Sequence, residues 1–191
     1  MKIFIDPGHS GPVEPGAVNY QLELTEADIN VGIGLFLWPL LESEGHKVLF
    51  SRAGPVDDSI GDQLTWRTDK ANAWGADLYI CLHCNSFADP AAHGAEVLVA
   101  HNASRASFEL AASIQNELVC LGLTDRGVKT QSLFIARTQM PAVLIEHGFL
   151  SNMVPPDGRN MSDAEILRDR QLDLAAADMR GIQKFLQEWR G

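Results

Sequence analysis

The sequence predicts one α/β domain over residues 1–191, with helices on both faces of a sheet whose first three strands are parallel. The chain has 191 residues, within the roughly 100–200 expected of a single domain. Short apolar runs alternate with amphipathic stretches, and the opening order strand, helix, strand, helix, strand is typical of parallel strands joined by helical crossovers. Hydrophobic residues make up 46% of the chain and charged residues 21%, which is typical of a chain that folds around its own core.

Six short apolar runs predict the strands. Each run is partly β-branched and is bounded by polar or turn residues, which is the pattern of a buried strand. The first run stops at Pro7 and Gly8, and the others stop at charged, polar or turn residues in the same way. The predicted strands are Lys2–Asp6, Lys47–Ser51, Asp77–Leu82, Ala95–Val99, Leu133–Ala136 and Ala142–Glu146.

Four amphipathic stretches predict the helices. The first begins at Thr25, which together with Asp28 resembles a capping box, and it ends near Glu44. Pro39 lies inside this stretch and predicts a kink or an early end, because proline lacks the amide hydrogen that a helix needs. A surface loop is predicted over 152–160, which contains two prolines and a glycine. The other predicted helices are Ile60–Trp74, Ser104–Leu121 with Gly122 as its C-cap, and Asp163–Trp189.

Charge and hydropathy argue against several classes of protein. The net charge of −10 at pH 7 argues against a nucleic-acid-binding domain, which needs a basic face. No apolar run approaches the ~18 residues of a membrane span. Asp6, Pro7 and His9 stand where a signal peptide would be apolar. We therefore expect a chain that is synthesised in the cytoplasm without a signal peptide and has no membrane span.

Four residues with catalytic chemistry lie near one predicted edge of the sheet. His9 follows the first strand, His83 follows the third, and Glu146 ends the last. Glu26 opens the first helix, after the loop that leaves the first strand. Sites in open α/β sheets form beyond the carboxyl ends of the parallel strands. Two histidines and one glutamate are a ligand set of catalytic zinc, and a second carboxylate nearby could serve as general base.

Four motifs stand in order along the chain: IDPGH at 5–9, EADIN at 26–30, LHCN at 82–85 and PAVLIEHGFLSN at 141–152. Together they resemble the zinc-dependent N-acetylmuramoyl-L-alanine amidases of the amidase-3 family. The resemblance covers about residues 1–152 in register, and the closing helix fits the last element of that family. It implies a three-layer α/β/α sandwich around a six-stranded mixed, largely parallel sheet.

The resemblance also implies a role for each of the four residues. His9, Glu26 and His83 match the ligands of one zinc ion per chain, and Glu146 matches the catalytic glutamate. The implied reaction is hydrolysis of the amide between N-acetylmuramic acid and L-alanine of the peptidoglycan stem peptide. Zinc would activate water and polarise the carbonyl, while Glu146 would take the proton of the water and deliver it to the leaving nitrogen. Substrate-binding residues stay unassigned.

The expected context is that of a cell-wall-degrading enzyme. We expect a monomer whose partner is peptidoglycan, which acts at the cell wall or periplasm as a phage lysin does, or which is the excised catalytic part of a larger protein. Ten residues separate His83 from Gly94, too few for a blocking helix of several turns. Activity without an activator protein is therefore expected. A zinc carboxypeptidase or aminopeptidase of similar architecture and a non-catalytic muropeptide-binding module stay open as alternatives.

The three cysteines, Cys81, Cys84 and Cys120, are too few for a disulfide framework and are expected to be structural. Cys84 adjoins His83, but neighbours in a strand point to opposite faces, so the two side chains should not share a metal ion.

Four other polar residues lie near the motifs. By the same alternation His147 should face away from Glu146, in the core or behind the site. Asp6 could orient a ligand histidine as a supporting carboxylate. His93 and His101 flank the strand after His83. A solvated surface position is expected for both, with substrate contact as the alternative.

Overall fold

The computed structural model describes residues 1–54 and 64–189. Its helices are α1 (Glu26–Ser43), α2 (Leu64–Trp74), α3 (Arg105–Cys120), α4 (Asp163–Asp169) and α5 (Gln171–Trp189), with a single 3-10 turn at Phe134–Arg137. Its strands are β1 (Lys2–Pro7), β2 (Val18–Asn19), β3 (Leu24–Thr25), β4 (Lys47–Phe50), β5 (Leu78–Asn85), β6 (Ala95–Ala100), β7 (Asp125–Gln131) and β8 (Ala142–Phe149).

Six of these strands form one mixed sheet in the order β4-β1-β5-β8-β6-β7, and β2 and β3 form a small antiparallel pair. Strands β4, β1, β5 and β8 are parallel, and β6 runs antiparallel to β8. The predicted parallel arrangement of the first three strands is confirmed. The carboxyl ends of β1, β5 and β8 therefore lie side by side, which places the segments that follow them at one edge of the sheet.

The two faces of the sheet are covered unequally. Helices α1, α3 and α5 pack on one face, where Ile33, Ile114 and Ile182 are fully buried. Helix α2 and the 3-10 turn lie on the opposite face, over Phe4 and Tyr79. The predicted three-layer α/β/α class is confirmed. Among the described residues, only the short turn covers β6 and β8 on the second face, which leaves room for a cleft beside them.

The strand predicted at Leu133–Ala136 is wrong. That segment forms the 3-10 turn Phe134–Arg137, and the sixth strand of the sheet is β7, Asp125–Gln131. The sequence of β7, DRGVKTQ, has no apolar pattern. An edge strand needs none, since it pairs on one side only and its side chains are largely exposed.

The predicted closing helix is also corrected, because it is two helices that part at Arg170. Helix α4 packs on β8, whereas α5 packs across α1 and α3. Because the two helices pack in different directions, the helix must break at Arg170, where the sequence has neither proline nor glycine.

The remaining helix ends agree with the predictions more closely. Thr25 caps α1 by accepting a hydrogen bond from the Asp28 amide, and α1 continues through Pro39 to Ser43, so the early end does not occur. Gly122 follows the end of α3 in the left-handed region, with φ 100°. The predicted start of α2 over 60–63 lies outside the described residues. The segment 152–160 has neither helix nor strand, as predicted. None of the described helices is long and apolar enough to cross a membrane.

Candidate active site

The structure brings His9, Glu26 and His83 together at the carboxyl edge of the sheet. His9 lies in the loop after β1, Glu26 is the first residue of α1, and His83 lies near the end of β5. One ligand atom from each residue lies within 4.8 Å of the other two. Residues that are far apart in the sequence therefore form one compact group of metal-ligand type.

The carboxylate of Glu26 is the centre of this group. Its Oε2 lies 3.1 Å from His9 Nε2, and its Oε1 accepts a hydrogen bond from His83 Nδ1 at 2.8 Å. The backbone amides of Ala17 and Cys84 donate to the same carboxylate, each at 3.0 Å. The carboxylate is thus held by two backbone groups while it faces both imidazoles.

Glu14, which belongs to none of the four motifs, holds the other side of the His9 ring. Both Glu14 carboxylate oxygens lie 2.7 Å from His9 Nδ1. A hydrogen bond from Nδ1 to a carboxylate fixes the tautomer and leaves Nε2 facing Glu26. The only signal in the sequence is an acidic residue five positions after His9, across a turn that contains Gly11 and Pro12.

Among the described residues Asp6 contacts no ligand histidine, so the structure does not support the orienting role considered for it. Its Oδ1 accepts a hydrogen bond from Arg67 Nη1 at 2.6 Å, and its Oδ2 accepts from the Tyr79 hydroxyl and the Cys81 thiol. Asp6 is fully buried behind the loop. It is the counter-charge of a buried arginine.

Two arginines hold the backbone that carries His9. His9 has a φ of 64°, in the left-handed region that side chains other than glycine rarely adopt. Arg67 donates to the carbonyl oxygens of His9 at 2.6 Å and Pro7 at 2.8 Å, and Arg52 donates to the carbonyl oxygen of Gly8 at 2.7 Å. Strained backbone persists where its surroundings over-determine it, and these hydrogen bonds do so here.

Arg67→Ala is expected to destabilise the fold strongly. The substitution leaves the buried Asp6 carboxylate without its cation, a change that costs about 3–5 kcal/mol. Arg105→Ala is the control, because Arg105 forms an exposed pair with Glu109 of a kind that contributes about 0–1 kcal/mol. Urea unfolding of both variants measures the free energy of unfolding. Equal losses in the two variants would contradict this account of the loop.

Two glycines make the close approach of the ligands possible. A Cβ at Gly8 would lie 2.3 Å from the His83 ring, and a Cβ at Gly16 would lie 2.5 Å from His9 Cδ2 and 2.6 Å from Glu26 Oε2. Gly16 also has a φ of 69°. No side chain fits at either position without displacing a residue of the group.

The charges of the group favour a bound cation. Burial lowers the pKa of His9, but hydrogen bonds and charges of Glu26 and Glu14 outweigh it and raise the pKa to about 9. Burial raises the pKa of Glu26, but hydrogen bonds from His83 and His9 outweigh this effect and hold the pKa far below its usual range. A proton is therefore held where a metal ion would bind, and the donor set of two imidazoles and one carboxylate suits zinc.

Glu146 lies beside the group on β8, in register with His83 on β5. Its Oε2 is buried and has no hydrogen-bond partner among the described residues. Burial raises the pKa of Glu146 to about 7; the positive charge of His83 opposes the rise, and the negative charges of Glu26 and Glu96 add to it. A carboxyl group with this pKa can accept a proton and return it near neutral pH.

All four residues line one cleft of about 560 Å³. The cleft lies on the face of the sheet that carries α2 and the 3-10 turn. Its apolar wall is formed by Leu98, Leu133, Phe134 and Leu144, and its polar rim includes Asn85, Ser86 and Gln131.

The other histidines lie outside the metal-ligand group. His147 is buried, with Nε2 2.8 Å from Asp178 and Nδ1 3.2 Å from the carbonyl oxygen of His83, so it faces the core as predicted. His93 is half-buried and lines a neighbouring cleft, and His101 is exposed at the other end of β6. The predicted positions of His147 and His101 are therefore confirmed, whereas His93 is more buried than predicted.

The cysteines are not part of the group. Cys81 and Cys84 are buried, and the Cys84 thiol lies 3.5 Å from Asn30 Oδ1, on the opposite side of the strand from the His83 ring. Burial raises the pKa of both thiols well above its usual value, which keeps them neutral. Cys120 is exposed at the end of α3.

The three-layer α/β/α sandwich holds two histidines and a glutamate beside a second, buried glutamate. This combination places the chain in the class of candidate metal-dependent hydrolases. The family model of N-acetylmuramoyl-L-alanine amidases matches residues 3–184 of this chain. The chain belongs to that family. The resemblance seen in the four motifs is thereby confirmed.

One sequence relative and two solved structures agree with this assignment. The sporulation-specific N-acetylmuramoyl-L-alanine amidase of Bacillus subtilis (strain 168) is 34% identical over 157 residues, which cover 80% of this chain and 58% of that protein. The N-acetylmuramoyl-L-alanine amidase of Clostridium difficile 630 superposes with a TM-score of 0.85 at 28% identity, covering 97% of this chain and 96% of that one. The CwlD amidase of Clostridioides difficile, solved in complex with the GerS lipoprotein, gives a TM-score of 0.83 at 28% identity, covering 97% and 98%.

Proposed function

We propose that this chain is a zinc-dependent hydrolase of the amide between N-acetylmuramic acid and L-alanine in peptidoglycan, and that it acts at the cell wall or periplasm. One observation carries the proposal: the group of His9, Glu26 and His83 shares a cleft with Glu146, whose buried Oε2 has no partner among the described residues. Membership of the amidase family supports the choice of substrate.

The residues of the group fit one zinc ion per chain. His9 Nε2, His83 Nδ1 and a carboxylate oxygen of Glu26 face one another, while Glu14 and backbone amides hold the ring of His9 and the carboxylate from behind. Zinc bound there would lower the pKa of a water molecule and polarise the scissile carbonyl group. The net charge of two neutral imidazoles, one carboxylate and Zn²⁺ is +1, which favours both effects.

Glu146 supplies the proton transfers of the proposed reaction. It takes a proton from the attacking water as the carbon–oxygen bond forms, and it gives that proton to the nitrogen as the carbon–nitrogen bond breaks. Without protonation the nitrogen would leave less readily than the water that had added. The products are the lactyl carboxylate of N-acetylmuramic acid and a free amino group on L-alanine.

Zinc binding is expected to release protons. At pH 7.5 the metal-free group holds a proton on His9, whose pKa is about 9, and a metal ion displaces it, so at least about one proton per ion should appear in solution, with any further release coming from zinc-bound water. Titration calorimetry in two buffers of different ionisation enthalpy measures this number. Zinc binding with no proton release at pH 7.5 would contradict the electrostatics of the group.

The stability of the metal-free protein should decrease as the pH rises and His9 loses its proton. The pKa of His9 is raised from its ordinary 6.5 to about 9, so its contribution is complete below about pH 6.5 and is lost as the pH rises through 9. The melting temperature of the metal-free protein should therefore fall over this interval. The zinc-loaded protein should not show this fall, because zinc replaces the proton.

Digestion of purified sacculi tests the proposed activity. The zinc-loaded protein should release new amino termini that belong to L-alanine alone. A carboxypeptidase or aminopeptidase would expose other termini, and a binding module would retain muropeptides without cleaving them. Either result would overturn the proposal.

The protein is expected to act as a monomer and without an activator. Residues 86–94, between β5 and β6, contain no helix that could block the cleft. CwlD, a structural neighbour, was solved in complex with the GerS lipoprotein. The expectation for this chain is that no such second protein is needed for activity. Purified protein alone should digest sacculi, and the addition of a second protein should not be needed. Protein that stays inert until a second protein is added would contradict this expectation.

A further inference from the structure

A cationic cluster on the edge strand lies beside the candidate active site. Arg126 Nε donates to Glu96 Oε2 at 2.8 Å, and Lys129 Nζ donates to the same oxygen. Asn85, on the rim of the active-site cleft, donates to Glu96 Oε1 at 3.1 Å. Two cations thus share the Glu96 carboxylate, and the cleft that they line contains one further acidic residue, Asp125.

The register of the sheet brings this cluster close to Glu146. Glu96 on β6 is paired directly with Glu146 on β8, so their Cβ atoms are roughly 5 Å apart on the same face. Lys129 on β7 is paired with Leu98, two residues after Glu96, and so its side chain shares that face. Because both cations contact the Glu96 carboxylate, they lie about one to two strand spacings, roughly 5–10 Å, from Glu146.

The two cations face an open space. They line a cleft of about 410 Å³, together with Ala91, Ala92, His93, Thr124 and Asp125. The side chain of Lys129 is 44% exposed and that of Arg126 is 34% exposed, whereas Glu96 is only 9% exposed. The buried anion therefore anchors the cations from below while their other N–H groups remain accessible to a ligand.

Arg126 is held more firmly than an ordinary surface arginine. Its guanidinium lies 4.7 Å from the centre of the Phe149 ring, and it also donates to the carbonyl oxygen of His93 at 3.3 Å. A guanidinium has five N–H donors in a planar fork and an ammonium has three. The contacts with Glu96 and His93 occupy only part of this capacity among the described residues.

We propose that Arg126 and Lys129 form a subsite for a carboxylate of the stem peptide, namely the α-carboxylate of the residue that follows L-alanine. The inference rests on the proposed function. In an extended chain this carboxylate lies about two residue steps, roughly 7 Å, from the scissile nitrogen. That distance matches the separation between Glu146, which protonates the nitrogen, and the two cations.

The chemistry of the stem makes this carboxylate a point of recognition. Its second residue is a glutamate joined to the next residue through its side chain, so the α-carboxyl group stays outside the main chain as a free acid or an amide. A carboxylate would form ion pairs with both cations through its two acceptor oxygens, whereas a neutral carboxamide has one acceptor oxygen, no charge, and an NH₂ group that the cations cannot accept from. The subsite therefore selects stems whose glutamate is not amidated.

Two matched substrates test the inference. They are N-acetylmuramoyl tetrapeptides that differ only in a free or an amidated α-carboxyl group on the glutamate. The zinc-loaded wild type should hydrolyse the acid with a kcat/KM about tenfold or more above that of the amide. Lys129→Gln and Arg126→Gln should each remove most of this preference by slowing hydrolysis of the acid alone, whereas Lys129→Arg should keep it. Arg105→Gln, which removes the same charge from α3, should behave as wild type.

The outcomes separate the subsite from the proposed function. If the two cations only anchored the edge strand to Glu96, the glutamine variants would slow both substrates equally, and the ratio of acid to amide would stay at its wild-type value; that result overturns the subsite. A wild type that cleaves both substrates at equal rates overturns it as well, but leaves the amidase activity standing. A wild type that cleaves neither substrate nor sacculi overturns the proposed function and the subsite together.

Discussion

Glu146→Gln is expected to lower the rate of amide hydrolysis by about 10²–10⁴-fold, the range typical of a lost general acid–base group. Glutamine keeps the shape and reach of the side chain, but it cannot accept a proton at neutral pH. Glu146 is not one of the three residues that form the metal-ligand group. We therefore expect the zinc content to stay at that of the wild type.

The same preparation should be assayed for zinc, melting temperature and release of L-alanine amino termini. The Oε2 atom of Glu146 is buried without a partner among the described residues, and a carboxylate in that position is costly to the fold. The neutral glutamine should therefore not destabilise the protein. Gln131→Ala is a suitable control, since Gln131 lines the same cleft but lies on the edge strand β7, two strands from β8, and it should keep the wild-type rate. A Glu146→Gln protein that is less stable and still turns over at the wild-type rate would remove Glu146 from the catalytic residues.

His83→Ala and His9→Ala are expected to abolish both zinc binding and activity. Each substitution removes one of three groups that face a single point, and the Glu26 carboxylate loses a hydrogen-bond donor. In the wild type, zinc at 100 times its dissociation constant should stabilise the fold by about 2.7 kcal/mol, because it binds the folded state only. The alanine variants should lose this gain. Thermal melts with and without zinc measure it.

Cys84→Ala is the matched control for the ligand variants. Cys84 follows His83 directly, but its thiol lies beside Asn30, on the other side of the strand. Its replacement should leave one zinc ion per chain and should cost about 1 kcal/mol of stability through the small cavity. If Cys84→Ala lost zinc while His83→Ala retained it, Cys84 would be the metal ligand and His83 would not.

The positions of the ligand residues could be predicted because the chain marks them locally. His9 and His83 follow apolar runs that become β1 and β5, and Glu26 follows Thr25, whose side chain caps α1. Parallel strands share a carboxyl edge, so residues that follow them converge. The order of the four motifs then led to the family, and the family model confirms that assignment.

Errors in the fold prediction arose where long-range pairing outweighs local pattern. Strand β7 is a polar edge strand that exists because it pairs with β6, while the apolar run at Leu133–Ala136 is buried by a 3-10 turn instead of a strand. The break at Arg170 has no local signal either, since it comes from the different packing partners of α4 and α5.

By itself, the sequence determined the class of fold, the strands and helix caps that bring the ligands to one edge, and the four residues proposed to carry the chemistry. Each of these depends on hydrophobic period, capping or a short motif, which act over a few residues. Only the tertiary structure showed that Glu14 supports His9, that Asp6 pairs with Arg67, and that Glu96 holds two cations beside Glu146. Such contacts depend on strand order and register, and these are decided by how distant segments pack together, which no local pattern contains.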